Sequence, residues 1–235
     1  EANFENLLTS ELHTVDLAGN TSFWKEADMY IGEDFSPDGR YLLINTLQKP
    51  FSYVVPLSRF PQKEVVYTLD GMAVKTVNTT PLREVQPKGF MATFTGKRFM
   101  NWRADMPASL YYVEALDGGD PARQVEYRDE VFSWEAPFDK NPVSLAKTPQ
   151  RFNGIIWGDD RHAILFDQWY DTRNVKTYLF NPSDNTQQPL LVSDRNSQDV
   201  YADPGNFETR RNAYNRNVLA IENNKTFLIG DGFSD

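Results

Sequence analysis

Cysteine is absent from the 235 residues, and histidine occurs only at positions 13 and 162. The first absence excludes disulfides, thiol nucleophiles and thiolate metal sites. The second leaves little for a Ser-His-Asp triad, which needs a histidine between nucleophile and acid. The G-x-S-x-G nucleophile elbow is missing too. His13, in "ELHTVDL", and His162, closing "GDDRH", read as ordinary strand and turn residues. No H-E-x-x-H, no calcium-loop spacing and no glycine-rich phosphate loop with its lysine occurs. The acidic turns "LDGGDP" and "GDDR" supply oxygen atoms, but tight turns use the same residues for backbone hydrogen bonds. No cofactor and no metal is therefore expected. No apolar run approaches the roughly 18 residues of a membrane span. Basic charge is short as well: 24 Lys and Arg stand against 33 Asp and Glu, a net charge of −9. Such a surface repels a phosphate backbone, so nucleic acid is not an expected partner. The chain opens "EANFENLL", without an initiator Met or a signal peptide. That reads as a piece trimmed from a longer protein, and it leaves the compartment open.

What remains is apolar and aromatic, at 40% and 14% of residues, enough for a folded core. Helical periodicity is scarce; only residues 5–12 suggest a short helix. Apolar residues instead come in short runs bounded by Gly, Pro, Asn and Asp, the pattern of an all-β chain. Strands are predicted at 12–17, 41–46, 52–56, 64–68, 74–77, 109–114, 124–128, 130–134, 143–146, 163–168, 176–180, 189–193, 218–222 and 226–229.

One phrase recurs. "FSPDGRYLLIN" from Phe35, "WRADMPASLYYVE" from Trp102, "WGDDRHAILFDQ" from Trp157 and "YNRNVLAIE" from Tyr214 each give an aromatic, a polar turn and a largely apolar strand. The first three carry Asp38, Asp105 and Asp160 three residues after the aromatic; the fourth carries Asn217. The spacings are 67, 55 and 57 residues. About four strands per unit at such spacing is the mark of a β-propeller, whose blades bury both faces by packing on their neighbours. Runs such as Leu42-Leu43-Ile44 then mark strands buried on both sides. The expected fold is a β-propeller segment of about four blades spanning residues 1–235, a single or partial domain cut from a larger ring. A β-sandwich or two small β-domains would also accommodate these strands.

The polar stretch "SDRNSQDVYADPGNFETRRNAYNR" gathers Arg195, Arg210, Arg211 and Arg216 with Asp199, Tyr201 and Asp203. Long polar loops often carry binding, and arginine forks match carboxylates. An interblade loop held by its own ion pairs explains the same residues. The substrate-binding candidates are Arg195, Arg210, Arg211 and Tyr201. No catalytic residue is expected.

The blade phrase resembles the N-terminal propellers of prolyl oligopeptidase-type serine peptidases. "KPFSYVVPLSRFP", "NWRADMPASLYYVEALDGGDP", "WGDDRHAILFDQWYDTRNVKTYLFNP" and "YADPGNFETRRNAY" are similar to the branch with glutamyl endopeptidases and acylaminoacyl or dipeptidyl peptidases. The resemblance runs from about Asp34 to the end. It implies a peptide substrate and a C-terminal α/β-hydrolase domain that carries the triad; that domain is absent from these residues. The propeller would then gate substrate access and contribute to peptide binding. Arginines of the polar stretch would meet an acidic substrate side chain, and a bacterial parent enzyme would be exported, to the periplasm, although a cysteine-free chain suits the cytoplasm equally. A free-standing propeller that binds peptide or protein is the rival reading. A glycan-binding propeller is a third, prompted by five Trp residues.

Overall fold

The computed structural model describes residues 2–231. The chain divides into two compact units, one formed by the residues up to Val85 with Ala136–Asp139, the other by Gln86–Glu135 and the residues from Lys140 on.

The first unit opens with helix α1 (Ala2–Leu8), earlier and shorter than expected. Strand β1 (Ser10–Val15) then turns back along β2 (Thr21–Asp28) as an antiparallel hairpin. The turn is fixed by Asp16, whose Oδ1 accepts from the backbone N–H groups of Ala18 and Asn20, both at 2.9 Å. Four strands follow as an antiparallel meander: β3 (Tyr30–Phe35), β4 (Tyr41–Leu47), β5 (Gln62–Thr68) and β6 (Ala73–Thr80). Strand β4 carries the apolar run singled out in the sequence, and Leu42, Leu43, Ile44 and Leu47 are all buried. Met29, Leu47 and Phe60 form a second cluster against which Phe4, Leu8 and Phe51 pack, so the helix caps that end of the sheet.

The second unit holds two further four-stranded meanders. One contains β7 (Arg98–Trp102), β8 (Ser109–Ala115), β9 (Asp129–Glu135) and β10 (Val143–Thr148). The other contains β11 (Arg151–Trp157), β12 (Ala163–Trp169), β13 (Asn174–Phe180) and β14 (Leu190–Asn196). They share one core: Val113, Val131 and Leu145 from the first meet Phe152, Trp157 and Leu165 from the second. Short pairs follow: Thr209–Arg211 with Asn217–Leu219, Ile221–Glu222 with Lys225–Thr226, and Asn206–Phe207 with Leu228–Ile229. Three complete meanders and a fourth reduced to short strand pairs, among the described residues, make this an all-β, partial propeller.

The repeat holds, with a correction to its place. In each copy a residue one or two positions after the first strand donates its N–H across the turn: Ser36 to Tyr41 O, Arg103 to Ser109 O, Asp159 to His162 O and Asn212 to Arg216 O, at 2.8–3.1 Å. The phrase is therefore the hairpin between the first and second strands of each sheet, and Phe35, Trp102 and Trp157 end their first strands. Tyr214 is not their equivalent, because it lies inside the turn closed by Asn212. The aspartates also divide. Asp38 accepts from Ser36 Oγ at 2.7 Å, and Asp105 pairs with Arg103 at 2.6 Å. In the third copy the cap is Asp159, which takes the N–H groups of Arg161 and His162.

Two predicted strands do not form. Residues 52–56 are a loop with Tyr53 and Val54 exposed, held between Pro50 and Pro56, whose rings remove ladder donors. Residues 124–128 form a connection that ends in a buried Arg128.

Candidate functional site

The polar stretch leaves β14 at Asn196 and builds its turns from its own side chains. Asn196 Oδ1 accepts from Gln198 N–H, Asp199 Oδ1 from Tyr201 and Ala202 N–H, and Asp203 Oδ1 from Gly205 N–H, at 2.9–3.2 Å. Gly205 has φ +89°, and a Cβ there would stand 2.3 Å from Ile229 O, so only glycine lets the two backbone segments approach. The consequence is a cleft of about 460 Å³ beside β14. Its apolar walls are Phe166, Val175, Val192, Phe207, Leu228 and Ile229, and its polar groups include Arg195, Tyr201 and Asp203. Phe166 and Phe207 meet edge to face, with centroids 6.2 Å apart.

Arg195 is half-buried and donates through Nη2 to Asp203 Oδ2 at 2.7 Å. Tyr201 is 79% exposed at the cleft margin. The structure thus brings two of the four candidates together. Arg210 and Arg211 lie apart from this lining, on the strand Thr209–Arg211, both exposed. Arg211 Nη1 donates to Asn215 O at 2.6 Å and tightens the fourth turn. A cleft with an apolar floor and one arginine–carboxylate pair at its margin is suited to holding an extended side chain or backbone. Among the described lining residues no hydroxyl is hydrogen-bonded to a histidine.

His13 lies on a strand and His162 closes a turn, the positions read from the sequence. His162 Nδ1 is 2.8 Å from Asp159 Oδ1 in the third turn, and His13 Nε2 is 3.1 Å from Glu11 Oε2 on β1. Among the described residues neither is hydrogen-bonded to a hydroxyl, and no group of three or more metal-ligating side chains occurs.

Two features escaped the sequence reading. Asp167, next to Phe166, is fully buried on β12. Burial pushes its carboxyl up to about 6, against the N–H of Gln150 at 3.0 Å and the hydroxyl of Tyr178 at 3.3 Å. The other is a buried set of arginines and aspartates, Arg98, Asp117, Arg128, Asp129 and Arg151. Its only sequence signal is charge beside otherwise apolar strands, at positions far apart in the chain.

No family model matches the chain. It is 35% identical over 234 residues to a probable chloroplastic glutamyl endopeptidase of Oryza sativa subsp. japonica, an alignment covering 97% of this chain and 25% of that protein. To the probable chloroplastic glutamyl endopeptidase of Arabidopsis thaliana it is 37% identical over 219 residues, 92% of this chain and 23% of the relative. The chain belongs with the propeller portion of the prolyl oligopeptidase-family peptidases. It spans about a quarter of the length of the curated relatives it matches. Among solved structures it is similar to the acylaminoacyl peptidase of Pyrococcus horikoshii, with a TM-score of 0.44, 16% identity, and coverage of 73% of this chain and 27% of that one. An acylaminoacyl peptidase in complex with Z-Gly-Gly-Phe-chloromethyl ketone gives a TM-score of 0.46 at 14% identity, covering 88% of this chain and 30% of that one. In this chain the repeated hairpins join regular meanders, and the polar stretch is where the chain departs from them.

Proposed function

We propose that this chain is the non-catalytic propeller portion of a serine peptidase, gating access to an active site carried elsewhere in the parent protein and contributing contacts to the peptide. One observation carries the reading. Identity of 35–37% extends over nearly the whole chain, yet covers only a quarter of peptidases whose length must hold the rest of the machinery.

In this reading Arg195 and Tyr201 contact the peptide at the cleft, and Arg210 and Arg211 supply further positive charge on the same stretch. An acidic substrate side chain would compete with Asp203 for the Arg195 fork. The test is steady-state hydrolysis of peptides by the full-length protein and its variants. Loss of Arg195 should raise KM for acidic peptides and leave kcat nearly unchanged, the mark of a group that binds ground state and transition state alike. A fall in kcat with unchanged KM would count against a binding role. In this reading a bacterial parent enzyme would be exported to the periplasm, which cell fractionation tests.

A second reading, a free-standing peptide-binding propeller, is favoured by the cleft itself, since its lining lies wholly within residues 166–231. The full reading frame separates the two: a G-x-S-x-G segment within the following few hundred residues favours the peptidase.

A further inference from the structure

Five charged side chains meet inside the second unit, where β8 ends and β9 and β11 begin. Asp117 Oδ2 accepts from Arg128 Nη1 at 2.8 Å and from Arg151 Nη2 at 2.7 Å. Asp129 Oδ1 accepts from Arg151 Nη1 at 3.0 Å and stands 2.5 Å from Arg98 Nη2. The aspartate side chains are 0% exposed, and those of Arg151, Arg98 and Arg128 are 4%, 7% and 10% exposed. Three guanidiniums therefore face two carboxylates, a surplus of one positive charge, and among the described residues no other carboxylate pairs with any of the three. Buried charge of one sign calls for a counter-charge.

The arginines bear this surplus unequally. Arg151 is fully engaged, adding Met91 O and Arg128 O to its two carboxylates. Arg128 lies 4.1 Å over the ring of Trp169, whose π face offsets part of its charge. Arg98 donates through Nη1 to Thr93 Oγ1 at 3.2 Å and lies 5.6 Å from the centroid of the Phe99 ring, but among the described residues its Nε has no acceptor. Its Nη2 touches Asp129 as a charge contact without hydrogen-bond alignment. Nε and Nη2 are the edge of a guanidinium that grips an anion with parallel N–H groups. The adjoining backbone is strained in the same place. Phe99 has φ +57°, a conformation a bulky aromatic rarely takes, at the irregularity between Arg98 and Asn101.

We propose that the Nε/Nη2 edge of Arg98 binds a compact monovalent anion, a halide or the carboxylate of a small acid. One negative charge there balances the cluster and fastens β7 to its neighbours. A phosphate dianion would overcompensate it and is not expected to bind.

Crystals of the full-length protein, grown in gluconate and soaked in sodium bromide, test the site directly. An anomalous peak within hydrogen-bonding reach of Arg98 Nε is expected. Thermal unfolding at matched ionic strength in chloride, bromide, acetate, phosphate or gluconate tests the energetics. Tm should rise by about 3 °C in the salts whose anion binds. A rise in acetate with loss of the bromide peak assigns the carboxylate source; a rise in the halides alone assigns a halide. Arg98→Lys keeps the charge and loses the fork, so it should fold and lose the anion dependence; Arg98→Gln should do the same if it folds. A water in place of bromide, with one Tm in all five salts, overturns the proposal, as does an Arg98→Lys protein that keeps the dependence.

Discussion

Arg151, at the start of β11, donates to Asp117, at the close of the β8 side, across 2.7 Å and 34 residues of sequence. The same guanidinium holds Asp129 at 3.0 Å, and the Asp129 carboxylate in turn takes the N–H of Phe152 at 2.8 Å. Two sheets of the second unit are thus joined at one end by ions and along their faces by the shared apolar core. A buried pair is costly to form, but costlier to break, because the survivor keeps its charge without a partner. Replacing Arg151 by Met leaves Asp117 with Arg128 and Asp129 with Arg98 but removes the charged hydrogen bonds that join the two sheets; it should destabilise the protein by about 1.5–3 kcal/mol in urea unfolding. A loss below about 1 kcal/mol would mean that water reaches the aspartates and that the ions do not join the sheets.

The connection after β8 depends on one glycine. Gly119 has φ +76°, and a Cβ there would stand 2.2 Å from Thr93 O, with the N–H of Thr93 bonded back to Gly119 O at 3.0 Å. Gly119→Ala meets both a backbone clash and a left-handed conformation, and should cost about 3 kcal/mol or more. Gly39 has φ +70° but open space around its Cβ position. Gly39→Ala should cost only the conformational part, about 1 kcal/mol. Equal losses in the two variants would refute the packing explanation.

Asp167 gives a pH dependence whose sign follows from burial. Its carboxyl titrates at about 6 in the folded protein, against about 3.9 in an unfolded chain. The folded state holds that proton more tightly, so the contribution to stability is fully present below about pH 4 and is lost as pH rises through 6. A shift of that size corresponds to about 2–3 kcal/mol. Subtracting the stability of Asp167→Asn from that of the wild type at each pH should show this fall between pH 4 and 6 and a plateau above. A flat difference would place the Asp167 titration at its ordinary value.

At the cleft, Tyr201→Ala and Arg195→Ala in the full-length protein should each raise KM for a peptide substrate about tenfold, roughly the 1.4 kcal/mol of one lost contact. Arg210→Ala and Arg211→Ala should have smaller effects, because those side chains stand outside the cleft lining. Unchanged KM in all four variants would remove the polar stretch from substrate binding.

The parts of the fold legible in the sequence were those written in local apolar pattern. The second strands, such as Tyr41–Leu47 and Ala163–Trp169, are buried on both faces and read as continuous apolar runs. The first strands were missed, and for a physical reason. Tyr30–Phe35, "YIGEDF", interleaves Gly32 and acids with its apolar residues; Arg98–Trp102 and Arg151–Trp157 each open on an arginine, and the latter carries Asn153 and Gly154 as well. Those arginines are buried only because Asp117 and Asp129 meet them, and such partners are set by topology, not by neighbours in sequence. Missing the first strands displaced the repeat by one element. The cleft was half legible: Arg195 and Tyr201 lie in a stretch rich in charge and turns, whereas its apolar walls come from strands separated by up to 63 residues, Phe166 to Ile229.

The most direct test of a non-catalytic propeller portion is labelling of the full-length protein with a fluorophosphonate, followed by mapping of the modified residue and by peptide-hydrolysis assays of the 235-residue chain alone. The expected result is a single labelled serine outside these 235 residues and no turnover by the isolated chain above buffer. A labelled serine within them, or hydrolysis that follows the isolated chain through successive columns, would contradict it.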